Sequence, residues 1–161
     1  ALLKSAGYAN GLTINLDLPP IAYATNSGEF IAASLAKVGI KVNLKPIAWG
    51  EWIDRVFTKK DYDMTIVCHI ESNDMAIYAN PAYYFGYNST TYQGLIKKAA
   101  SAKTQAARVE NLKKAARLLA NDSVSDWLWL IPNLQVAKKT ISGIPLNTVG
   151  DAYTVDRITV G

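Results

Sequence analysis

Two consecutive strand–helix–strand patterns in the first half of the chain constrain its fold more than any other feature. Leu12–Leu18 alternates apolar and polar residues, as a strand with one buried face does. A helical pattern follows, then the strand-like run Ile40–Ile47, a short second helical pattern, and the apolar run Met64–Cys68. Strands joined by helices of this length are parallel, with right-handed crossovers. The sequence therefore predicts an α/β fold with a mostly parallel sheet flanked by helices.

Helical spacing of apolar residues predicts the helices that join these strands. The first is predicted to be capped by Asn26 or Ser27 and to end at Gly39. Its predicted buried positions are Phe30, Ile31, Leu35 and Val38. The second helix is predicted to bury one face made of Trp52, Ile53, Val56 and Phe57.

Two longer helices and a dense apolar run are predicted in the second half of the chain. Thr91–Ala102 and Thr104–Asn121 both show helical periodicity and are expected to form a hairpin on the sheet. The buried stripe of the second is predicted at Val109, Leu112, Ala116 and Leu119. Asp126–Ile131, with the sequence DWLWLI, is predicted to be a buried strand that Pro132 stops.

The chain changes character at residue 134. Leu134–Gly161 contains short β-like runs, Leu134–Ala137 and Tyr153–Val160, separated by glycines and a proline. Such a segment has little core of its own and is expected to dock against something else. We therefore divide the chain into an α/β part, residues 1–133, and a carboxyl-terminal tail, residues 134–161.

Composition indicates a folded chain and does not favour a nucleic-acid partner. The 161 residues are 50% hydrophobic and 19% charged, which suffices for one domain with a real core. The net charge is +4, but the basic residues are dispersed over the two longer helices, as on a solvated helix face. No run approaches the roughly 20 apolar residues that span a bilayer. Because the chain starts at Ala1 without a signal peptide, we expect a processed product or an excised piece.

The segment after the third strand contains the candidate binding site. Polar side chains appear abruptly where the apolar run ends at Cys68. They are His69, Glu71, Asn73 and Asp74. Glu71 and Asp74 are the only formal charges between His69 and Tyr92, so the segment is acidic within a basic chain. In α/β proteins, ligands bind in the crevice beyond the carboxyl ends of the strands.

Aromatic residues accompany these polar groups. Tyr78 is the first of six tyrosines and phenylalanines that end at Tyr92. Trp49 follows the second strand, and the carboxyl ends of parallel strands share one edge of a sheet. We therefore expect Trp49 to lie near the polar segment, and expect tyrosine and tryptophan rings to give a ligand apolar contact with a polar group for orientation.

The sequence carries no motif for catalysis or for a cofactor. It has no G-x-S-x-G, no Walker loop and no G-x-G-x-x-G. His69 could act as a base with Glu71 or Asp74, but no pattern supplies a nucleophile, so no catalytic residue is assigned. A metal site is not favoured either, because three ligands would crowd into six residues. Cys68 is the single cysteine and is predicted to be buried and inert.

Several stretches in order resemble one family. They are LLKSAGYANG, IAASLAKVGIKVNLKPIAWGEWIDRVFTKKDYDM, YNSTTYQGLIKKA, ARVENLKKAARLLANDSVSDWLWLIPNLQVAKK and GIPLNTVGDAYTVDRITV. Together they resemble the carboxyl-terminal lobe of the extracytoplasmic solute-binding proteins of ABC importers, in the peptide/nickel-binding family (bacterial extracellular solute-binding family 5). The resemblance covers essentially the whole chain.

The resemblance implies a longer, two-lobed protein that closes on its ligand and delivers it to a membrane permease. This chain would be most of its second lobe, with residues 134–161 returning to the missing first lobe. The implied function is that of the substrate-binding component of an ABC importer, periplasmic or otherwise extracytoplasmic, with a peptide-like or other small polar solute as ligand and no enzymatic activity. The implied ligand-binding residues are His69, Glu71, Asn73, Asp74, Trp49 and Tyr78.

The polar segment departs from the family pattern. Similar proteins commonly carry G-W-x-x-D here, and the first Asp can bind the amino group of a peptide. In this chain the Gly-Trp pair is missing, and Asn73 stands where that Asp would be. The departure leaves the ligand class open among peptides, opines, sugar conjugates and nickel complexes.

The sequence leaves two other functions open. One is a small hydrolase or transferase that uses His69 with Glu71, which predicts turnover that His69→Ala abolishes. The other is a protein-interaction domain that uses the aromatic run Tyr83–Tyr87 as an exposed patch. Exposure of that patch distinguishes the second alternative from a binding cleft.

Overall fold

The computed structural model describes residues 1–71, 73–132, 134–145 and 155–161, which divide into two compact units. The first, here called the sheet unit, comprises Ala1–Cys68 and Pro81–Gly86. The second, the helical unit, comprises His69–Asn80 and Tyr87–Gly161. The chain therefore passes from the sheet unit to the helical unit, returns, and passes over again.

A three-stranded parallel sheet lies at the centre of the sheet unit. Its strands are β1 (Leu12–Leu18), β2 (Ile40–Pro46) and β3 (Met64–Thr65), in the order β2-β1-β3. Leu16 of β1 lies opposite Leu44 of β2 and Met64 of β3. The predicted parallel α/β architecture is confirmed, although β3 is shorter than predicted because only its first two residues pair with β1.

Helices connect these strands. The bounds are α1 (Leu2–Ser5), α2 (Ala22–Ala36), α3 (Trp49–Glu51) and a π-helix (Trp52–Thr58) that continues α3. α2 begins four residues before the predicted caps, with Ile21 as its N-cap in an extended conformation. Ser27 lies inside the helix, where its hydroxyl donates to the Tyr23 carbonyl. The prediction that Asn26 or Ser27 starts the helix was wrong because Pro19-Pro20 already ends the strand and the helix forms directly after it.

α2 buries its predicted apolar positions only in part. Ala24 and Gly28 are buried, and Ala24 packs with Leu16 and Leu18 of β1. Phe30 is 75% exposed, and Val38, beyond the helix, is 61% exposed. The small side chains let the helix approach the sheet closely, and Ile31, one of the predicted positions, is partly buried against the same cluster.

The π-helix buries part of its predicted face. Trp52 and Val56 are buried, whereas Ile53 and Phe57 are half-exposed. The turn is widened by i→i+5 hydrogen bonds such as Lys59 N–H to the Asp54 carbonyl, 3.0 Å. In a π-helix, successive side chains are separated by a smaller rotation about the helix axis than in an α-helix. A buried face predicted from α-helical spacing is therefore only partly correct here.

The tyrosine-rich run packs inside the sheet unit. Tyr84 is 4% exposed, and its ring centroid lies 5.5 Å from that of Trp52 and 5.6 Å from that of Phe57. Its carbonyl accepts a hydrogen bond from the Tyr62 hydroxyl, 3.1 Å. Tyr83 and Phe85 are partly buried against the same cluster. The protein-interaction alternative requires these rings to be exposed, and their burial removes its support.

Three helices form the described core of the helical unit. They are α4 (Asp74–Ile77), α5 (Thr90–Ala100) and α6 (Gln105–Asn121). Ser89 and Thr104 cap α5 and α6 by accepting hydrogen bonds from the backbone N–H groups of Tyr92 and Ala107. α5 and α6 pack against each other, as predicted for a hairpin. In α6, Leu119 is buried as predicted, with Ala115 rather than Ala116 beside it, and Val109 is exposed.

The predicted buried strand Asp126–Ile131 is wrong. No strand is assigned to this run, and its large apolar side chains are exposed. Those side chains are Trp127, Leu128, Trp129, Leu130 and Ile131. The described strands of the helical unit, β4 (Ile141–Ser142) and β5 (Thr159–Val160), pair antiparallel with each other. Within the described part of this unit, the run therefore has no neighbouring strand that could bury it and satisfy its backbone.

The tail is only partly as predicted. Leu134–Ala137 is exposed and forms no strand, whereas Thr159–Val160 pairs with Ile141–Ser142. Tyr153 and Thr154, the beginning of the predicted run, lie outside the described residues. None of the described helices is long and apolar enough to cross a membrane.

Candidate functional site

The turn after the third strand gathers three side chains that can bind a cation or a polar ligand. His69 Nδ1 lies 3.0 Å from Glu71 Oε2, and Asp74 is the first residue of α4. One ligating atom of each of these three residues lies within 4.8 Å of the others. Crowding of three ligands into six residues, the reason against a metal site in the sequence, does not keep the three side chains apart. The cluster can therefore hold either a cation or a hydrogen-bonding group.

Asp74 is a partly buried member of this cluster. Burial raises the pKa of its carboxyl group above the usual value, and the neighbouring Glu71 carboxyl raises the pKa further, while His69 lowers it. Its Oδ1 is inaccessible to solvent and has no hydrogen-bond partner among the described residues. A carboxylate oxygen in this position gains stability from any donor or cation that reaches it.

Tyr78 adds an aromatic wall one turn further along. It is 7% exposed, and its hydroxyl donates to Ser125 Oγ at 3.0 Å. Its ring centroid lies 6.1 Å from that of Trp127, which is half-exposed. Burial raises the pKa of Tyr78, and the negative charges of Asp74 and Glu71 also raise it. The carboxylates and the aromatic pair therefore belong to one site in the helical unit.

A buried hydroxyl fixes the helix that carries Asp74. Tyr92 of α5 is fully buried, and its hydroxyl donates to the carbonyl of Met75 in α4, 2.8 Å. Burial raises the pKa of Tyr92 to about 12. Its ring also contacts Tyr87 edge to face at 5.5 Å, and the Tyr87 hydroxyl donates to Asp122. The position of α4 is therefore set by α5.

The structure does not place all six predicted ligand-binding residues together. It brings together four of them, which are His69, Glu71, Asp74 and Tyr78. Asn73 is the exposed N-cap of α4, but its side chain makes no capping hydrogen bond. Trp49 is 40% exposed and belongs to the sheet unit, so its proximity to the site stays a prediction. Cys68 is exposed, contrary to the predicted buried thiol, because β3 ends at Thr65 and leaves it in an extended segment.

Sequence reasoning missed two residues of the site. Ser125 and Trp127 reach Tyr78 from the segment that follows α6, some 47 residues away in the case of Ser125. The alternation of tryptophan and leucine in DWLWLI indicated two different faces, which was the available signal for Trp127. Ser125 gave no signal, because a lone serine after a helix is common in any loop.

A second polar cavity lies in the sheet unit, with a volume of about 330 Å³. Its charged lining consists of Asp17, Asp61, Asp63, Lys45, Arg55 and Lys60. Asp17 is fully buried, and Arg55 contacts it at 3.4 Å. Burial raises the pKa of Asp17, and Arg55 partly offsets this. Because acidic and basic side chains balance here, we interpret the cavity as an ion-pair network that joins β1 to the π-helix.

The chain is similar in sequence to periplasmic proteins of ABC transporters and peptide transport. No protein-family model matches the chain. The chain is 28% identical, over 93% of its length, to the probable ABC transporter periplasmic-binding protein SapA of Escherichia coli K12. It is 27% identical, over the same share, to the peptide transport periplasmic protein SapA of Salmonella typhimurium LT2. The chain spans 30% of the length of either relative.

A solved structure agrees over nearly the whole chain. The dipeptide-binding protein of Pseudoalteromonas sp. SM9913, in complex with Met-Leu, superposes with a TM-score of 0.70 at 17% identity. The match covers 99% of this chain and 34% of that protein. The chain has the fold of periplasmic binding proteins. The predicted α/β fold class is thereby confirmed, and the resemblance to solute-binding proteins of ABC importers agrees with these relatives, which are named for binding and transport rather than for catalysis.

Proposed function

We propose that this chain is part of the substrate-binding component of an ABC importer and that it captures a peptide-like or other small polar solute. The observation that carries the proposal is the sequence similarity over 93% of the chain to proteins named as periplasmic binding proteins of such transporters. The fold match to a dipeptide-binding protein supports it. The relatives' names also support a periplasmic or otherwise extracytoplasmic location and a membrane permease as partner.

The chemistry of the site suits capture of such a solute. Glu71 and Asp74 can accept charge-assisted hydrogen bonds from an ammonium or hydroxyl group, and His69 is beside them. The rings of Tyr78 and Trp127 offer apolar contact next to these carboxylates. Asn73, exposed at the start of α4, is proposed as a further polar contact. A ligand that carries a positive or hydrogen-bonding group beside an apolar one fits this set.

The proposal includes a larger protein around this chain. The relatives are about three times as long, so we propose that residues 1–133 form most of a second lobe and that residues 134–161 return to a first lobe. Trp49 is proposed as an aromatic wall of the cleft between the lobes. The exposed run Trp127–Ile131 supports this arrangement, because a surface of five adjacent apolar side chains is stable only when another surface covers it.

We propose binding without turnover. The His69–Glu71 pair has the geometry of a base and its orienting carboxylate, which is the one observation that favours a hydrolase or transferase. The relatives are named as binding proteins, and capture needs no nucleophile. The discriminating measurement is whether a bound solute is recovered unchanged after incubation with the protein.

Native mass spectrometry of the intact protein, purified gently from its own cells, tests the proposal. We expect a small molecule to co-purify with the wild type and to be lost from Asp74→Asn, since this change removes the charge from a carboxyl group whose Oδ1 is buried without a hydrogen-bond partner among the described residues. Glu29→Gln, an exposed carboxyl group on α2, is the matched control and should keep the ligand.

Two results would contradict the proposal. An intact protein that carries no small molecule, and that shows no change in tryptophan fluorescence with a mixture of di- to tetrapeptides, does not bind solutes of this class. A ligand retained by both Asp74→Asn and Glu71→Gln is bound elsewhere. The isolated chain is expected to bind weakly, because most of a cleft that buries its ligand would be missing.

A further inference from the structure

The cluster His69, Glu71 and Asp74 offers a mixed set of metal ligands. An imidazole nitrogen and two carboxylate oxygens lie within 4.8 Å of one another, and the nitrogen and one oxygen are 3.0 Å apart. Ligands of a zinc ion, bound at roughly 2.0 to 2.2 Å, lie about 3 to 3.5 Å apart. Small side-chain rotations would therefore bring the three atoms into coordination distance of one ion. Within the described part of the chain, this is the one such group of three.

The electrostatics of the cluster call for a cation. Glu71 and Asp74 place two carboxyl groups beside the same imidazole, that of His69. Asp74 Oδ1 is buried from solvent and has no hydrogen-bond partner among the described residues. A carboxylate oxygen that is buried without a donor is stabilised by a cation that reaches it.

We propose that His69, Glu71 and Asp74 bind one divalent transition-metal ion such as Zn²⁺. The imidazole ligand favours zinc, nickel, cobalt or copper over magnesium and calcium, which prefer oxygen ligands alone. Three protein ligands leave at least one coordination position for water or for a bound solute. This inference goes beyond the proposed function, because the three side chains bind the ion whether or not a solute is present.

Calorimetric titration of the chelator-treated protein with Zn²⁺ alone tests the site. We expect one ion per chain, and an affinity lowered at least about tenfold by each of His69→Ala, Glu71→Gln and Asp74→Asn. Mg²⁺ and Ca²⁺ should give no heat of binding. Two controls should bind Zn²⁺ as the wild type does. They are Glu29→Gln, on α2, and Cys68→Ser, which removes the exposed thiol next to His69.

A measurement on the wild type tests the metal site without depending on whether any variant folds. His69 is the single histidine of the chain, so its imidazole proton signals are unambiguous in a spectrum recorded by NMR. Paramagnetic Co²⁺ should broaden these signals at substoichiometric concentration, and excess Zn²⁺ should restore them.

Three outcomes would overturn the inference. They are no heat with Zn²⁺, unaffected imidazole signals with Co²⁺, and a Cys68→Ser variant that loses as much affinity as His69→Ala. None of these results bears on solute capture, which is tested separately by the ligand that co-purifies with the intact protein. Conversely, a protein that binds Zn²⁺ but no solute would contradict the proposed function and leave the metal site in place.

Discussion

A single hydroxyl group joins the helix that carries Asp74 to the core of its unit. Tyr92 is fully buried, and its hydroxyl donates to the Met75 carbonyl, one residue after Asp74. Because α4 has only four residues, it cannot be stable through its own backbone hydrogen bonds. The geometry of the site therefore depends on a residue that is not itself one of the proposed ligand-binding residues.

We predict that Tyr92→Phe lowers the free energy of unfolding by about 1 to 3 kcal/mol, since the Met75 carbonyl loses its donor. Tyr87→Phe is the matched control and should cost less, because the Asp122 carboxylate that it leaves is exposed and can bind water instead. Urea denaturation of the three proteins measures the difference. Equal losses for the two variants would contradict this account of α4.

The same hydroxyl should make stability depend on alkaline pH. The pKa of Tyr92 rises from 10.0 to about 12 on folding, because burial disfavours its anion. A group whose pKa is higher in the folded state contributes stability that is fully present below its unfolded pKa and is lost as the pH rises through the folded value. We therefore expect the advantage of the wild type over Tyr92→Phe to decline between pH 10 and about pH 12.

Two turns, one after α1 and one before β1, depend on a glycine with a positive φ angle. Gly7 ends α1 and Gly11 precedes β1, with φ angles of 90° and 91°. A Cβ at Gly11 would lie 2.7 Å from the Gly39 carbonyl oxygen, whereas a Cβ at Gly7 would meet nothing within 4 Å. The two positions therefore share the backbone requirement and differ in the space around it.

We predict that Gly7→Ala costs about 1 to 2 kcal/mol of stability, from backbone strain alone. Gly11→Ala should cost more, because the Gly39 carbonyl also accepts the hydrogen bond from Leu12 N–H and cannot withdraw without loosening the start of β1. Thermal or urea denaturation of both variants is the measurement. A smaller loss for Gly11→Ala than for Gly7→Ala would show that the loop relaxes freely.

At the level of elements, local periodicity predicted the framework but not its exceptions. β1 and β2 have the alternation of half-buried strands, and α5 and α6 have hydroxyl caps at Ser89 and Thr104, so their positions follow from nearby residues. The run Asp126–Ile131 has the composition of a buried strand, yet burial requires a partner strand that no local pattern specifies. The π-helix likewise depends on a hydrogen-bond register that α-helical spacing does not reveal.

The site was predictable to the extent that it is local. His69, Glu71 and Asp74 lie within one turn, and the end of an apolar strand marks where that turn begins. Ser125 and Trp127 reach the same place only because α6 folds back along α5. Such a contact depends on how two helices pack, and a single sequence contains no direct record of it.

On the scale of the whole molecule, the longest series of adjacent exposed apolar side chains among the described residues is Trp127–Ile131. Leu130 is 96% exposed, and four further large apolar residues adjoin it from Trp127 to Ile131. Contiguous apolar surface of this kind promotes association of the isolated chain. The longer protein that we propose would cover the same run with its own residues.

We predict that Leu130→Ser reduces self-association of the isolated chain and changes its free energy of unfolding by no more than about 0.5 kcal/mol. Leu2→Ser is the matched control, because Leu2 is 85% exposed but has no comparable apolar run around it. It should leave association unchanged. Sedimentation velocity over a range of concentrations distinguishes the two variants. If both substitutions changed self-association equally, association through a localised apolar surface would be contradicted.

The path of the chain between its two units limits how the protein can be dissected. The segment His69–Asn80 leaves the sheet unit at Cys68 and returns to it at Pro81. A truncation after residue 68 would remove Tyr84, which covers Trp52, and would leave an open core. One that starts at residue 87 would discard His69 and Asp74. Neither unit is thus a continuous gene segment, and an intact fragment of either would have to be built by joining two separate pieces of sequence.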